Sequence, residues 1–539
     1  MASEDKSKKA ASGVIKAATI MVVANAVSSI LGYVRNILIS SKFGMSFESD
    51  AYYAAFTIPD LIYSILVGGG LSSAFIPVFS GYINDKREKE GYRMASIIFN
   101  IVTVTVSVVC VIGMIFAPRI LPLIVQFDQG GPEFFHLTVR LTRIMFFQCF
   151  FMCLTGICMG ILQAYKDFAP PSLGAVFYNV AIIVVGLILM QFGMGITGFS
   201  IGVVVGAAVN FAVQISPIRR KGFKYSPGID LSHEGVKKFF HLFWPMLLGV
   251  SVSQLNLIVN KYFGSGEGES VLSSMQNAQS IMQLPINIFG WSVALSVFPT
   301  MVEHYGTGDT DSYKADISMG VRNVVFLTLP ASVGLIAMRE PLIRAMYAQG
   351  EFDPKHIPLL ASLLMFYCIG IVGYSVRGVL LQGFYAVQET VTPVKINIFI
   401  LLLNTVLCYI MVYFAGANGL GMAYSTAGIV SMCLLAFFLR RRVGPIRGKE
   451  ILLSVGKMLI AVAAMAAAMI FITPALEKFL PVERKIGQLT EIMILLGIGI
   501  ITYLIMAVVL RMKELSAVLD TFSRKLGRKK AERPGSRNR

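Results

Sequence analysis

Apolar blocks long enough to cross a bilayer dominate this sequence, and they remove most of the folds otherwise open to a chain of its length. A hydrocarbon core of about 30 Å needs roughly 20 helical residues. Such blocks fall near 15–41, 50–82, 93–117, 136–164, 168–192, 195–218, 238–263, 271–302, 314–338, 356–387, 392–415, 418–440, 451–473 and 487–511. Lipid offers no partner for a backbone N–H or C=O, so each block satisfies its own backbone as a helix. The expected fold is an all-α integral membrane protein with about 14 transmembrane helices. Composition agrees: 14% of residues are charged and the mean hydropathy is +0.70, where a soluble globule carries about a quarter charged residues. The polar start MASEDKSKK lacks the layout of a cleaved signal peptide, so the first span is expected to be retained.

An internal repeat organises the spans. Tyr92-Arg93 recurs as Tyr313-Lys314, an offset of 221 residues, and Gly113 with Gly334, Gly198 with Gly419 and Arg219 with Arg440 share it. SSAFIPVFSGY at 72–82 and ILQAY at 161–165 return near the same offset as LSVFPTMVEHY and LLQGF. Copies separated by an even number of spans share one orientation, so two pseudo-symmetric six-helix lobes facing a central cavity are expected. The expected division is an N-terminal segment 1–14, an N-lobe 15–218, a basic linker 219–237, a C-lobe 238–442, two unpaired helices in 443–511 and a basic tail 512–539. For the unpaired helices, a groove for a lipid tail and simple packing are both open.

The +17 formal charge is unevenly spread. Lys and Arg cluster before the first span, after the second, after the sixth, after the twelfth and beyond the last. An excess of cations in cytoplasmic loops puts both termini in the cytoplasm. The basic tail reads as a contact for anionic lipid headgroups, not as a nucleic-acid arm. All 7 cysteines lie inside expected spans without metal-ligand spacing, so they read as apolar packers.

Ionisable residues inside spans are costly and mark function. Here they are Arg35, Asp50 and Asp60, then Lys261, Arg322, Arg377 and Lys395, so cations outnumber carboxylates. That bias favours an anionic substrate, and guanidinium suits diphosphate or carboxylate oxygens best. Arg35, with Asn36 beside it, and Arg377 are therefore the candidate binding residues. The competing structural readings are an Arg35–Asp50 ion pair and an Arg377 pair with Glu389 or backbone carbonyls. Lys261 and Lys395 read as snorkelling near span ends, and Arg322 as too close to the cytoplasmic face. Pro59, Gly68, Gly69 and Gly70 interrupt the second span, and Pro285 and Gly290 the eighth. Breaks at corresponding helices read as hinges for alternating access, or as static kinks. No catalytic motif, metal cluster or Walker sequence appears. A cofactor-free transporter is expected, driven by a sodium or proton gradient, by membrane potential or by substrate supply.

The segment LGYVRNILISSKFGMSFESDAYYAAFTIPDLI with SSAFIPVFSGY, then LLGVSVSQLNLIVNKYFGS, MYAQGEFD and GFYAVQETVTPVKI, resembles the lipid II flippases of the MurJ (MviN) family. That family lies within the multidrug/oligosaccharidyl-lipid/polysaccharide exporter superfamily. The resemblance covers nearly the whole chain in order. It implies a V-shaped protein of the bacterial cytoplasmic membrane whose cationic cavity carries a lipid-linked saccharide, with the last two helices forming a groove for the polyprenyl tail. It further implies cell-wall polymerases as partners. Arg35 and Asp50 match positions the family uses in the cavity. The family's usual arginines fall here at Ser29, Ser64 and Ser280, and its acid after the first-span arginine is Asn36. A flippase for another lipid-linked polysaccharide unit, an ion-coupled exporter of small compounds and a non-transporting scaffold are the alternatives.

Overall fold

The computed structural model describes residues 2–127 and 131–515, so residues 516–539 of the basic tail lie outside the described residues. All regular structure in the described residues is helical. Helix α1 (Ala2–Phe43) leads to a second span in four pieces: α2 (Phe47–Ala55), α3 (Thr57–Tyr63), a π-helical stretch (Ser64–Phe75) and α4 (Ile76–Asn84). Next come α5 (Glu88–Ile120), α6 (Gly131–Ala164), α7 (Ala169–Gln191) and α8 (Gly195–Arg220). Beyond the linker are α9 (Glu234–Ser265), α10 (Val271–Pro285), a π-helical turn (Ile286–Trp291), α11 (Ser292–Gly306) and α12 (Thr310–Ala337). The chain continues through α13 (Arg339–Tyr347), α14 (Ile357–Ala386), α15 (Val391–Ala415), α16 (Asn418–Val443), α17 (Gly448–Phe479) and α18 (Lys485–Val509). Among the described residues, thirteen stretches are long and apolar enough to cross a membrane. The 32-residue α9 stands at the remaining expected span, so the all-α membrane fold read from the sequence is the fold observed.

The chain divides into two compact units, Met1–Asn277 with Gln349–His356, and Ala278–Ala348 with Ile357–Arg539. The basic linker and α9 thus belong to the first unit. The linker is fastened along α5: Asn100 Nδ2 donates to the Gly228 carbonyl at 2.8 Å, the Tyr225 hydroxyl to Asn100 Oδ1 at 2.7 Å, and Arg93 pairs with Asp230 at 3.4 Å.

Both copies of the repeat use the same device where two consecutive helices meet. In the first unit α7 runs along α8, and a Cβ on Gly198 would lie 2.8 Å from Leu189 Cβ. In the second, α15 runs along α16, and a Cβ on Gly419 would lie 2.3 Å from the Met411 carbonyl. Absence of a side chain lets the backbones approach, and backbone cannot yield as a side-chain tip does. We expect Gly419→Val to cost more than about 3 kcal/mol, above the ordinary range for overpacking. Gly456→Val, where a Cβ meets nothing within 4 Å, should be tolerated. Thermal unfolding of the two variants in detergent checks the contrast. Gly113 and Gly334 differ instead: the first packs against Phe146, the second faces Met465 of α17.

The broken spans follow from their sequences. Pro59 has no N–H for the carbonyl four residues back, and the helix parts at Phe56, between α2 and α3. Three successive glycines weaken α-helical hydrogen bonding, and Gly68, Gly69 and Gly70 lie within the π-helical stretch Ser64–Phe75. Pro285 immediately precedes the second π-helical turn, which contains Gly290. Gly290 also has a packing role, since a Cβ there would lie 2.9 Å from Ser375 Oγ.

In the second unit α17 packs on α12 and α18. The Tyr503 hydroxyl donates to the Phe326 carbonyl at 2.9 Å, and Arg322 pairs with the buried Glu514 at 3.3 Å. Between these helices lies an apolar cavity of about 450 Å³ whose wall includes Pro285, Phe289, Phe326, Met465, Met469 and Tyr503.

Candidate functional site

A polar cluster forms within the first unit where α1, α3, α6, α7 and α9 carry their membrane-depth polar residues. Arg35 is half-buried on α1. Its Nε and Nη2 each donate to Asn36 Oδ1 at 3.3 Å, and Nη1 donates to Asn179 Oδ1 at 3.4 Å. Asn179 is oriented for this: its Nδ2 donates to Ser28 Oγ at 3.1 Å and to the Ala175 carbonyl at 3.2 Å. The rings of Tyr52, Tyr53 and Tyr178 lie within electrostatic range of the guanidinium.

Lys261 comes into the same cluster from α9. Its Nζ donates to Thr57 Oγ1 at 3.0 Å and to the Tyr53 carbonyl at 3.1 Å. Both acceptors lie beside the break at Phe56, Tyr53 in the last turn of α2 and Thr57 at the start of α3. Asp60, on α3, is exposed and lies in electrostatic range of Lys261 and Arg35, near Gln148 of α6. An exposed carboxylate at this depth requires water or protein around it. The cluster therefore combines two cations, one carboxylate and several neutral amides.

Asp50 is elsewhere. It is 3% exposed, and it accepts from the Ser270 N–H at 2.8 Å and the Ser273 N–H at 2.7 Å. A carboxylate on the first N–H groups of α10 gains from the helix dipole, so Asp50 fastens the start of that helix and does not pair with Arg35. Asp50→Ala should lower stability by about 1.5–3 kcal/mol, the range for hydrogen bonds to a charged group. Asp50→Asn should lose less, as an amide oxygen keeps one acceptor; thermal unfolding of the two variants tests this.

Arg377 belongs to the second unit. Its Nη2 donates to Asn397 Oδ1 at 2.9 Å, beside the stacked rings of Tyr374 and Tyr424, whose centroids are 4.4 Å apart. The expected alternative partner, Glu389, instead accepts from the N–H groups of Thr392 and Val391 at the start of α15, and these bonds hold its carboxyl below the usual range. Ser29 turns its hydroxyl onto the Asn25 carbonyl of its own helix, 2.9 Å away, and Lys395 is exposed. Sequence reasoning missed Lys261 and Asp60 as companions of Arg35, and Asn179 altogether. The polar run SQLNLIVNK of α9 was the available signal for Lys261, because it puts several polar groups in one span.

The family model described as Lipid II flippase MurJ matches residues 39–490. The chain belongs to the MurJ family of lipid II flippases. Among its relatives, the Lipid II flippase MurJ of Burkholderia cenocepacia is 29% identical over 420 residues, covering 77% of this chain and 81% of the relative. The Probable lipid II flippase MurJ of Vibrio cholerae is 27% identical and covers 94% of this chain and 98% of its own. A solved MurJ structure in an inward closed conformation superposes with a TM-score of 0.76 at 26% identity, covering 92% of this chain and 99% of that one. An inward-facing multidrug-resistance MATE transporter of the MOP superfamily shares the fold at a TM-score of 0.68 and 17% identity, over 80% of this chain and 99% of its own.

Proposed function

We propose that this protein flips a polyprenyl-diphosphate-linked saccharide, the peptidoglycan precursor lipid II, from the inner to the outer leaflet of the bacterial cytoplasmic membrane by alternating access. The observation that carries the reading is Arg35. Its guanidinium donates to neutral amides of Asn36 and Asn179, so its charge is available to a diphosphate, and Lys261 stands near as a second cation. Family membership supports the substrate class, and the apolar cavity beside α17 and α18 supports a polyprenyl tail as the ligand's other end.

The breaks at Pro59, Gly68, Gly69 and Gly70, and at Pro285 and Gly290, serve in this proposal as the hinges. The energy comes from a sodium or proton gradient or the membrane potential, with no bound cofactor. Both termini face the cytoplasm, the basic tail touches anionic lipid, and cell-wall polymerases take the product. Depletion of the protein tests the reading. Lipid II should accumulate on the inner leaflet, measured by its accessibility to an externally added lipid II-cleaving enzyme. Undiminished accessibility after depletion, in cells with no second flippase, would overturn it.

A further inference from the structure

A polar cavity opens in the first unit, sharing Asn179 and Tyr178 with the Arg35 cluster. Its volume is about 170 Å³ and its wall includes Tyr63, Thr155, Tyr178, Asn179, Asn210 and Gln214, with no charged side chain in the lining. At about 30 Å³ per liquid water the space equals roughly five or six waters, the scale of a single sugar ring. It adjoins the cationic cluster directly, because Asn179 lines it and also accepts from Arg35 Nη1.

The wall holds hydrogen-bonding capacity that the protein leaves unused. Gln214 is 1% exposed, and its Oε1 has no partner among the described residues, while its Nε2 donates to Asn210 Oδ1 at 3.2 Å. Asn210 Nδ2 meets only a weak acceptor, Met152 Sδ, at 3.7 Å. Buried polar groups are ordinarily satisfied, so an orphaned acceptor and an underused donor on neighbouring turns of α8 call for a ligand with both kinds of group. The lining offers hydroxyls, amides and tyrosine rings but no counter-charge. An ion of either sign finds no counter-charge in the lining, whereas an uncharged ring bearing several hydroxyls matches it.

We propose that this cavity is the subsite for the sugar ring joined directly to the carrier's diphosphate, with Arg35 on the diphosphate and the Asn210–Gln214 pair on the ring. The inference rests on the flippase reading and adds where, and by which residues, the saccharide is read. Binding to the purified full chain in nanodiscs tests it with two probes, undecaprenyl diphosphate and undecaprenyl diphosphate carrying one N-acetylhexosamine. Wild type should prefer the sugar-bearing lipid. Gln214→Leu should reduce that preference by about tenfold, the equivalent of one buried hydrogen bond, and leave the sugar-free lipid within about twofold of wild type on the same scale. Tyr63→Phe, which deletes one hydroxyl, should act in the same direction and decides the matter if Gln214→Leu does not fold. An unchanged preference in the folded variants, or no preference in wild type, overturns the subsite. Binding of neither lipid by wild type overturns the flippase reading itself, and the subsite with it.

Discussion

Arg35→Glu should yield a folded, membrane-inserted protein without measurable lipid translocation. The wild-type side chain presents a guanidinium held by two neutral amide oxygens, at 3.3 Å on Asn36 and 3.4 Å on Asn179. Those bonds orient the group without neutralising it. Replacement by glutamate removes the cation and puts a carboxylate where a diphosphate would sit. Losing one partner of a buried charge pair costs about 2–5 kcal/mol, so a fall in flux of about 1.5 to 3.5 orders of magnitude is expected before repulsion is counted. Arg35→Lys should be intermediate, because an ammonium cannot bridge both amides as a planar fork does. Translocation of a fluorescent lipid II analogue in proteoliposomes, with immunoblotting for membrane level, gives the readout. Normal flux in the glutamate variant would show that Arg35 is only structural.

Loss of Lys261 should be nearly as severe, through Asp60. In the wild type that carboxylate lies in electrostatic range of both cations. With Lys261→Ala it retains Arg35 alone, and the guanidinium is drawn into an ion pair and away from the substrate. Flux should fall at least about tenfold, equivalent to 1.4 kcal/mol. Asp60→Ala should restore part of the loss in the double variant, because the competing carboxylate is gone. Coupled neighbours show interaction energies of about 0.5–3 kcal/mol. Strict additivity in the same flux assay would mean that Lys261 and Asp60 act separately, with Lys261 touching substrate directly.

The contrast between Lys261 and Arg35 shows how far residue types alone can carry a reading. Arg35 was legible because a cation in the middle of the first span has no headgroup within reach. Lys261 lies four residues before the end of α9, where a long side chain ordinarily reaches the interface, but its Nζ turns inward to Thr57 Oγ1 and the Tyr53 carbonyl. Asp50 was legible as a residue needing a partner, but its partners are backbone N–H groups of Ser270 and Ser273, which no residue type announces. Asn179 was invisible because an amide in a span carries no charge to mark it. The duplicated helices were easier. Gly198 and Gly419 recur at a fixed offset because each helix pair needs a close backbone approach, and that need is written into the residue itself.

The π-helical stretch ties the length of the second span to its rotational phase. Each residue of a helix turns the chain by about 100°, and a wider turn absorbs a residue that a regular α-helix would display at a different angle. Closing the stretch Ser64–Phe75 into a continuous α-helix without removing a residue would swing everything on one side of it by about a quarter turn relative to the other. Asp60, four residues ahead of Ser64 where the stretch begins, could then keep its orientation toward Lys261 only if α4 were rotated out of its own packing. The irregular turn is thus a phase adjuster, and insertions or deletions there are constrained by angle long before they are constrained by length.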